Sequence, residues 1–168
     1  MRALLVRHAV AEDRVAWAAR GRDDAERPLS DEGRRRMAKI AAALARLEPD
    51  LAWIAVSPAA RTQQTAALLA AALPGEVPIV TRPELAPSGS ASGALELLQS
   101  QRGLAALALI GHEPNLSQLA GLLLAGRERS LLAFKKGGAA LFDFPGRVAA
   151  GEAVLLWHLP PAALRRLD

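Results

Sequence analysis

Cysteine and tyrosine are both absent from the 168-residue chain. The lack of cysteine excludes disulfide frameworks, zinc sites built on thiolates, thiol proteases and the cysteine-based phosphatases. Aromatic residues make up only 4% of the chain, so the core must consist mainly of Leu, Ala, Val and Ile. Any nucleophilic chemistry must therefore use a side chain other than a thiol.

Long hydrophobic runs are also missing. No apolar stretch reaches the 18 residues that a membrane span needs, and the apolar opening meets Arg7 and His8 too early for a secretory signal. We therefore expect a cytoplasmic protein that does not bind membranes. The length is that of one domain, and 51% hydrophobic with 23% charged residues is a globular balance. We expect residues 1–168 to form a single domain.

The charge of the chain is moderately basic. Twenty-one basic residues, 18 of them Arg, oppose 17 acidic ones and give a net charge of +4. The planar guanidinium fork matches phosphate, although an Arg-rich surface is more often simply solvated. The only basic run, residues 34–36, lies on a predicted helix without interleaved aromatics, so we expect no nucleic-acid binding.

Short apolar runs alternate with longer helical patterns along the chain, which is typical of α/β proteins. The apolar runs predict strands over residues 3–6, 52–56, 79–80, 104–110, 139–144 and 153–159. Helical spacing predicts helices from Ser30 to just before Pro49, over 59–73, over 92–101, and from Pro114 to about Ala125. We expect a three-layer α/β/α sandwich with a mostly parallel central sheet and an antiparallel edge. Residues 8–29 lack periodicity and are expected to form a long surface loop.

Polar side chains follow three of the predicted strands. Arg7 and His8 follow the first strand, Ser57 and Arg61 the second, and His112 the strand over 104–110. Ligands in open α/β sheets bind outside the carboxyl ends of the strands. The sequence therefore predicts one crevice that holds two imidazoles and two guanidiniums.

These side chains suit phosphoryl transfer. A neutral imidazole can attack a phosphoryl group, and forked Arg donors stabilise the charge on its oxygens. The residues alone therefore favour a covalent phosphohistidine mechanism that needs no metal and no other cofactor. The third histidine, His158, lies inside a predicted edge strand, where a structural role is expected.

Four segments carry a resemblance to a known family. LVRHA at residues 5–9 resembles the strand-plus-RHG motif of the histidine phosphatase superfamily, which has the phosphoglycerate mutase-like fold, with Ala9 in place of the usual Gly. SPAARTQQTA at 57–66 and GHEPNLS at 111–117 are similar to its second-arginine and second-histidine motifs. RPLSDEG at 27–33 resembles the R-P-L-[ST]-x-x-G motif of the SixA-type phosphohistidine phosphatases, the closest branch. Because Ala9 has a Cβ, its backbone is expected to have a negative φ.

The resemblance implies roles for the four crevice residues. His8 would be the nucleophile that becomes phosphorylated. Arg7 and Arg61 would hold the phosphoryl oxygens, and His112 would hydrogen-bond the same group. These roles agree with the chemistry inferred from the residue types.

Three further residues are candidates by resemblance. Arg27 and Ser57 would contact the substrate. Larger members of the superfamily supply a general acid as a Glu shortly after a Leu in the stretch that aligns near Leu85, whereas here Glu84 precedes that Leu. Glu84 is thus a possible acid. A missing acid favours a phosphohistidine substrate, because an imidazole leaves more easily than an alkoxide.

We therefore expect a metal-independent phosphatase that dephosphorylates phosphohistidine on a protein such as a phosphotransfer domain. Two alternatives stay open: a phosphatase of small phosphoesters or nucleotides in the same superfamily, and a non-catalytic phosphate-binding module. A metal-dependent hydrolase that uses Glu12 or Asp13 is disfavoured, because Arg7 and Arg61 would repel a cation. The expected partner is a phosphate-bearing substrate.

Overall fold

A single mixed sheet organises the protein. The structure is a computed structural model that describes residues 1–101 and 103–167. Six strands within these residues form the sheet: β1 (Arg2–Arg7), β2 (Ile54–Val56), β3 (Ile79–Thr81), β4 (Ala106–Gly111), β5 (Ala139–Asp143) and β6 (Val154–Leu159). Their order is β3-β2-β4-β1-β5-β6, with β1 to β4 parallel and β5 and β6 antiparallel to their neighbours. The expected parallel sheet with an antiparallel edge is confirmed.

Helices cover both faces of the sheet. The described residues form α1 (Arg14–Ala18), α2 (Asp31–Leu47), α3 (Ala60–Ala72), α4 (Ala91–Ser100), α5 (Asn115–Ala125) and α6 (Pro161–Leu164). Helices α2, α3 and α6 contribute to one hydrophobic core, and α4 and α5 contribute to the other. Within the described part of the chain, none of these helices combines the length and apolar character of a membrane span.

Strand β1 divides its side chains between the two cores. Leu4 and Val6 are fully buried in the core under α2 and α3, whereas Ala3 and Leu5 are buried against α4 and α5. This alternation is the period-2 geometry of a strand covered on both faces, and it reads in the sequence as a continuous apolar run. The predicted three-layer α/β/α arrangement is therefore confirmed.

The start of α2 explains two residues of the RPLSDEG segment. Ser30 is the N-cap, as predicted, and its Oγ accepts a hydrogen bond of 3.1 Å from the Gly33 amide. A Cβ at Gly33 would lie 1.9 Å from the Val10 carbonyl oxygen, so only glycine permits this contact. The contact holds the chain that follows β1 against the first turn of α2.

The segment 8–29, for which the sequence predicts a long surface loop, contains short elements of regular structure. It contains α1, a 3₁₀ turn over Asp24–Glu26, and a β-bridge between Ala11 and Leu29. Trp17 anchors the segment, because its ring is buried and its Nε1 donates a 2.8 Å hydrogen bond to the Asp23 carbonyl. A five-residue helix is too short to produce a recognisable hydrophobic period, so the sequence pattern could not reveal it.

Candidate active site

The carboxyl ends of β1, β2 and β4 open into one cleft of about 590 Å³. Five of the predicted site residues line it, namely Arg7, His8, Arg27, Arg61 and His112. All of these except the half-buried Arg7 are buried, with at most 7% of their surface exposed. The structure therefore brings together the residues that the sequence placed at three strand ends and in the following loop.

The two imidazoles face each other at the base of this arrangement. The ring centroids of His8 and His112 lie 5.1 Å apart. Nδ1 of His8 lies 2.7 Å from the carbonyl oxygen of Ala9, which can only accept a hydrogen bond. Nδ1 of the neutral ring thus carries the proton, and Nε2 keeps the lone pair that a nucleophile needs.

Both histidines are held neutral. Burial, together with the charges of His112, Arg61 and Arg7, lowers the pKa of His8 to about 3, against the opposing hydrogen bond to Ala9. Burial, followed by the charge of Arg61, lowers the pKa of His112 to about 4. Neutral imidazole is the form that can attack phosphorus, so both rings are in a reactive or hydrogen-bonding form near pH 7.

The guanidiniums supply donors for an anion. Nη1 of Arg7 donates a 2.6 Å hydrogen bond to the Phe134 carbonyl oxygen, which fixes the side chain. The Nε atoms of Arg7 and Arg61 are buried and have no hydrogen-bond partner within the described part of the chain. A buried, unpaired donor costs about 1–3 kcal/mol. Two such donors in one cleft match a site that an oxyanion completes.

Ser57 contacts His112. Its side chain is fully buried, and its Oγ lies 2.8 Å from Nε2 of the ring. Ser57 does not line the cleft, so the structure places it behind the imidazole instead of at a substrate contact. It can orient the ring and select its tautomer.

The SPAARTQQTA segment ties α3 to β1. Thr65 Oγ1 accepts a 3.1 Å hydrogen bond from the Ala9 amide and donates one of 2.7 Å to the Arg61 carbonyl. Ala9 meets its expectation, because no residue other than glycine has a positive φ among residues 1–101 and 103–167. The hydroxyl of Thr65 thus fixes the backbone around both the nucleophile candidate and the second arginine.

Sequence reasoning missed Asp24. Its Oδ2 lies 3.1 Å from Nη2 of Arg61, and its backbone carbonyl accepts a 2.7 Å hydrogen bond from Nη1 of the same residue. Its Oδ1 accepts a 2.8 Å hydrogen bond from Nε of Arg27. Burial opposes the charge of this carboxylate, but the Arg27 hydrogen bond and both guanidinium charges outweigh it and lower the pKa of Asp24. The available signal was its position three residues before Arg27, inside the aperiodic segment.

Glu84 lies apart from the cleft. It borders a small internal cavity next to His112, and it is not one of the residues that line the open cleft. Its Oε2 atom is buried without a hydrogen-bond partner in the described residues. Its role as a general acid stays a prediction to which the geometry adds no contact with the cleft. Within the same described residues, no three His, Asp or Glu side chains are grouped to hold a metal ion.

The lowered imidazole pKa values predict an acid-sensitive fold. A histidine in the unfolded chain has a pKa of ~6.5. In the folded protein the pKa is about 3 for His8 and about 4 for His112. Below pH 6.5 the unfolded state binds more protons, so the free energy of unfolding should fall as the pH drops. Between pH 7 and pH 5 we expect a loss of about 2 kcal/mol for each ring, at ~1.4 kcal/mol per pKa unit.

Urea unfolding at pH 7 and pH 5 checks this expectation. A His8→Asn, His112→Asn variant lacks both rings, so its stability should change much less than that of the unmodified protein over this range. Equal pH dependence in the two proteins would contradict neutral, buried rings. The comparison also cancels the carboxylates, which both proteins share.

Comparison with known proteins gives a consistent set of matches. The model of the histidine phosphatase superfamily (branch 1) matches residues 3–90. An uncharacterized protein of Picosynechococcus sp. is 37% identical over 134 residues, which are 79% of this chain and 78% of that protein. The matched family segment contains Arg7, His8, Arg27 and Arg61.

Solved structures share the whole fold. The protein histidine phosphatase SixA complexed with tungstate is 24% identical, with a TM-score of 0.83 over 98% of this chain and 99% of that one. A structure described as SixA from Agrobacterium tumefaciens is 26% identical, with a TM-score of 0.77 over 95% and 97%. One described as an α-ribazole-5′-P phosphatase from Escherichia coli K-12 is 15% identical, with a TM-score of 0.75 over 97% and 98%.

Proposed function

Since the chain belongs to the histidine phosphatase superfamily and is a phosphatase of that superfamily, we propose that it removes the phosphoryl group from phosphohistidine on a protein through a covalent intermediate at His8. One observation carries the proposal: two buried, neutral imidazoles share a cleft with two guanidiniums whose Nε atoms have no partner within the described residues. The likeness to SixA structures, one of them with the oxyanion tungstate, supports it.

In the first step, Nε2 of His8 attacks phosphorus and the bond from phosphorus to the substrate imidazole breaks. A substrate ring that carries a proton on its second nitrogen leaves as neutral imidazole, so no separate acid is needed. The positive charge passes to the His8 ring, whose Nδ1–H stays bonded to the Ala9 carbonyl. The phosphoryl group now attached to His8 carries negative oxygens, and the positive guanidiniums of Arg7 and Arg61 stabilise this charge.

In the second step, water attacks phosphorus and the Nε2–phosphorus bond breaks. The electron pair returns to Nε2, and both hydrogens of the water stay on the dihydrogen phosphate that leaves. His112 can support both steps: when the Ser57 hydroxyl donates to its Nε2, the ring keeps an N–H at Nδ1 for a phosphoryl oxygen. The mechanism needs no group from outside the chain other than substrate and water.

The carboxylates of the cleft bear on the choice of substrate. Asp24 forms ion pairs with two guanidiniums. The carboxylate of Asp13, the N-cap of α1, accepts a hydrogen bond from the Ala16 amide. The carboxylate of Glu113 accepts hydrogen bonds from the Ser117 hydroxyl and the Phe134 amide. Carboxylates engaged in this way are poor donors to an alkoxide. Glu12 is then the one lining carboxylate among the described residues that is left unengaged, so the cleft offers little acid for a sugar or alkyl oxygen and better suits an imidazole leaving group.

A phosphatase of small phosphoesters is the second candidate. Glu12 lines the cleft, and its carboxylate has no hydrogen bond or ion pair to any described residue, so it is the side chain that could protonate an alkoxide. The E. coli structure supports only the shared fold, at 15% identity. Rapid hydrolysis of an alkyl or sugar phosphate that depends on Glu12 would favour this candidate.

Trapping of the intermediate tests the proposed function. The protein is mixed with a phosphohistidine peptide in EDTA, denatured within the first turnovers and digested under alkaline conditions, in which phosphohistidine survives. We expect phosphate on the peptide that contains His8, in acid-labile form. Phosphate release without any labelled His8, or release that requires an added metal, would contradict the mechanism.

A further inference from the structure

A second, smaller cleft of about 140 Å³ lies beside the candidate active site. We call it the basic side cleft and define it by the cations Arg36, Lys136 and Arg165 and the apolar residues Met37, Ile40 and Pro161. Val10 and Lys136 line both clefts, so the two clefts adjoin each other at these residues. A substrate whose phosphoryl group reaches His8 can extend across Lys136 into this second cleft.

The charge of the basic side cleft is unbalanced. None of the acidic residues in the ranges 1–101 and 103–167 lines it. Arg36 pairs with Glu32 one turn earlier on α2, and an ion pair this exposed to solvent contributes little to stability. Lys136 and Arg165 have no ion pair within the described part of the chain. An acidic group entering this cleft therefore meets cations that are open to new partners.

The apolar residues narrow the chemistry of the ligand. Met37, Ile40 and Pro161 offer aliphatic surface, and among the residues that the structure describes no aromatic side chain that could stack on a base lines the cleft. Glutamate and aspartate side chains on a polypeptide combine methylene groups with a carboxylate and match both features. A nucleotide would find phosphate partners here but no stacking surface.

We propose that the basic side cleft binds acidic side chains next to the phosphohistidine of the protein substrate. The inference rests on the proposed function, because it assigns the polypeptide that surrounds the same phosphoryl group. Complementary charge speeds association and selects the partner, and its effect weakens with salt. An acidic neighbourhood should therefore raise kcat/KM mainly at low ionic strength.

Two synthetic peptides and two double variants test the proposal. Each peptide carries one phosphohistidine, flanked on both sides by Glu in one and by Ser in the other. Arg36→Glu with Arg165→Glu reverses the charge of the cleft. Arg35→Glu with Arg166→Glu is the matched control, because these exposed residues adjoin the first pair in sequence and lie outside the cleft lining.

We expect the unmodified protein to favour the Glu peptide at least tenfold in kcat/KM at low salt, and the cleft variant to lose most of this preference. The control variant should keep it, and all three proteins should hydrolyse the Ser peptide at similar rates, which also shows that they fold. An unchanged preference in the cleft variant, or an equal loss in the control, would overturn the proposal.

Failure of the proposed function can be separated from failure of this inference. If the unmodified protein hydrolyses neither peptide, binding of the unphosphorylated Glu peptide is measured by fluorescence anisotropy. Weaker binding by the cleft variant than by the control would still support an acidic ligand in the basic side cleft. Equal binding by both variants would contradict it.

Discussion

Replacing His8 by asparagine should lower phosphate release from a phosphohistidine peptide by roughly 10³-fold or more, as expected when a catalytic nucleophile is lost. Nδ1 of the ring is engaged with the Ala9 carbonyl, so Nε2 provides the attacking lone pair. An asparagine amide can donate to the same carbonyl, but its nitrogen has no basic lone pair. The variant should thus keep the local structure and lose the chemistry.

Steady-state phosphate release in EDTA measures this effect. His158→Asn is the matched control, because it removes an imidazole that lies on the edge strand β6. His158 is half-buried but does not line the cleft, so that control should keep its rate within about twofold of the unmodified protein. Substantial turnover by the His8 variant would show that the phosphoryl group does not pass through this ring.

Replacing Arg61 by alanine should lower kcat/KM by about 10²–10³-fold, the usual cost of removing a donor that stabilises transition-state charge. Arg61 is 4% exposed, and its Nε has no partner within the described residues, so this atom is a donor available to a phosphoryl oxygen. Arg61→Lys keeps one positive charge but loses the planar fork. Its rate should therefore fall between those of the alanine variant and the unmodified protein.

Rate measurements on both Arg61 variants should be paired with thermal unfolding. Arg82→Ala is a useful control, since this half-buried arginine stacks over Trp53 and does not line the cleft. We expect that control to keep nearly full activity. If Arg61→Ala retained the rate of the unmodified protein while unfolding normally, the phosphoryl group would have to bind elsewhere.

The sequence predicted the parts of the molecule that depend on short-range patterns. Buried parallel strands appear as apolar runs, so β1 and β4 and the residues after them were recognisable. This placed His8 and His112 in one crevice. The cap at Ser30 was equally local, because a hydroxyl before acidic residues and an amphipathic run marks a helix start.

The parts that were missed depend on contacts between segments. The structure of residues 8–29 relies on Trp17 and on single hydrogen bonds, which leave no period in the sequence. The pairing of Asp24 with Arg61 joins two distant segments and has no local signature. Ser57 was predicted as a substrate contact, but the strand end aims its hydroxyl at His112 instead.

Under the proposed function, the position of Asp24 would make phosphate binding an exchange of anions. Its carboxylate already holds Arg61 and Arg27, so an arriving phosphoryl group competes with a partner of the same sign that is attached to the protein. Because the Asp24 carboxylate is part of the chain, it does not diffuse away and its effective concentration at the two guanidiniums is high. It would therefore lower the affinity of the cleft for every anion by a similar free energy, including its affinity for the inorganic phosphate product. Under the proposed function, release of the product would thus be assisted, because the Asp24 carboxylate can pair again with Arg61 and Arg27 after each turnover.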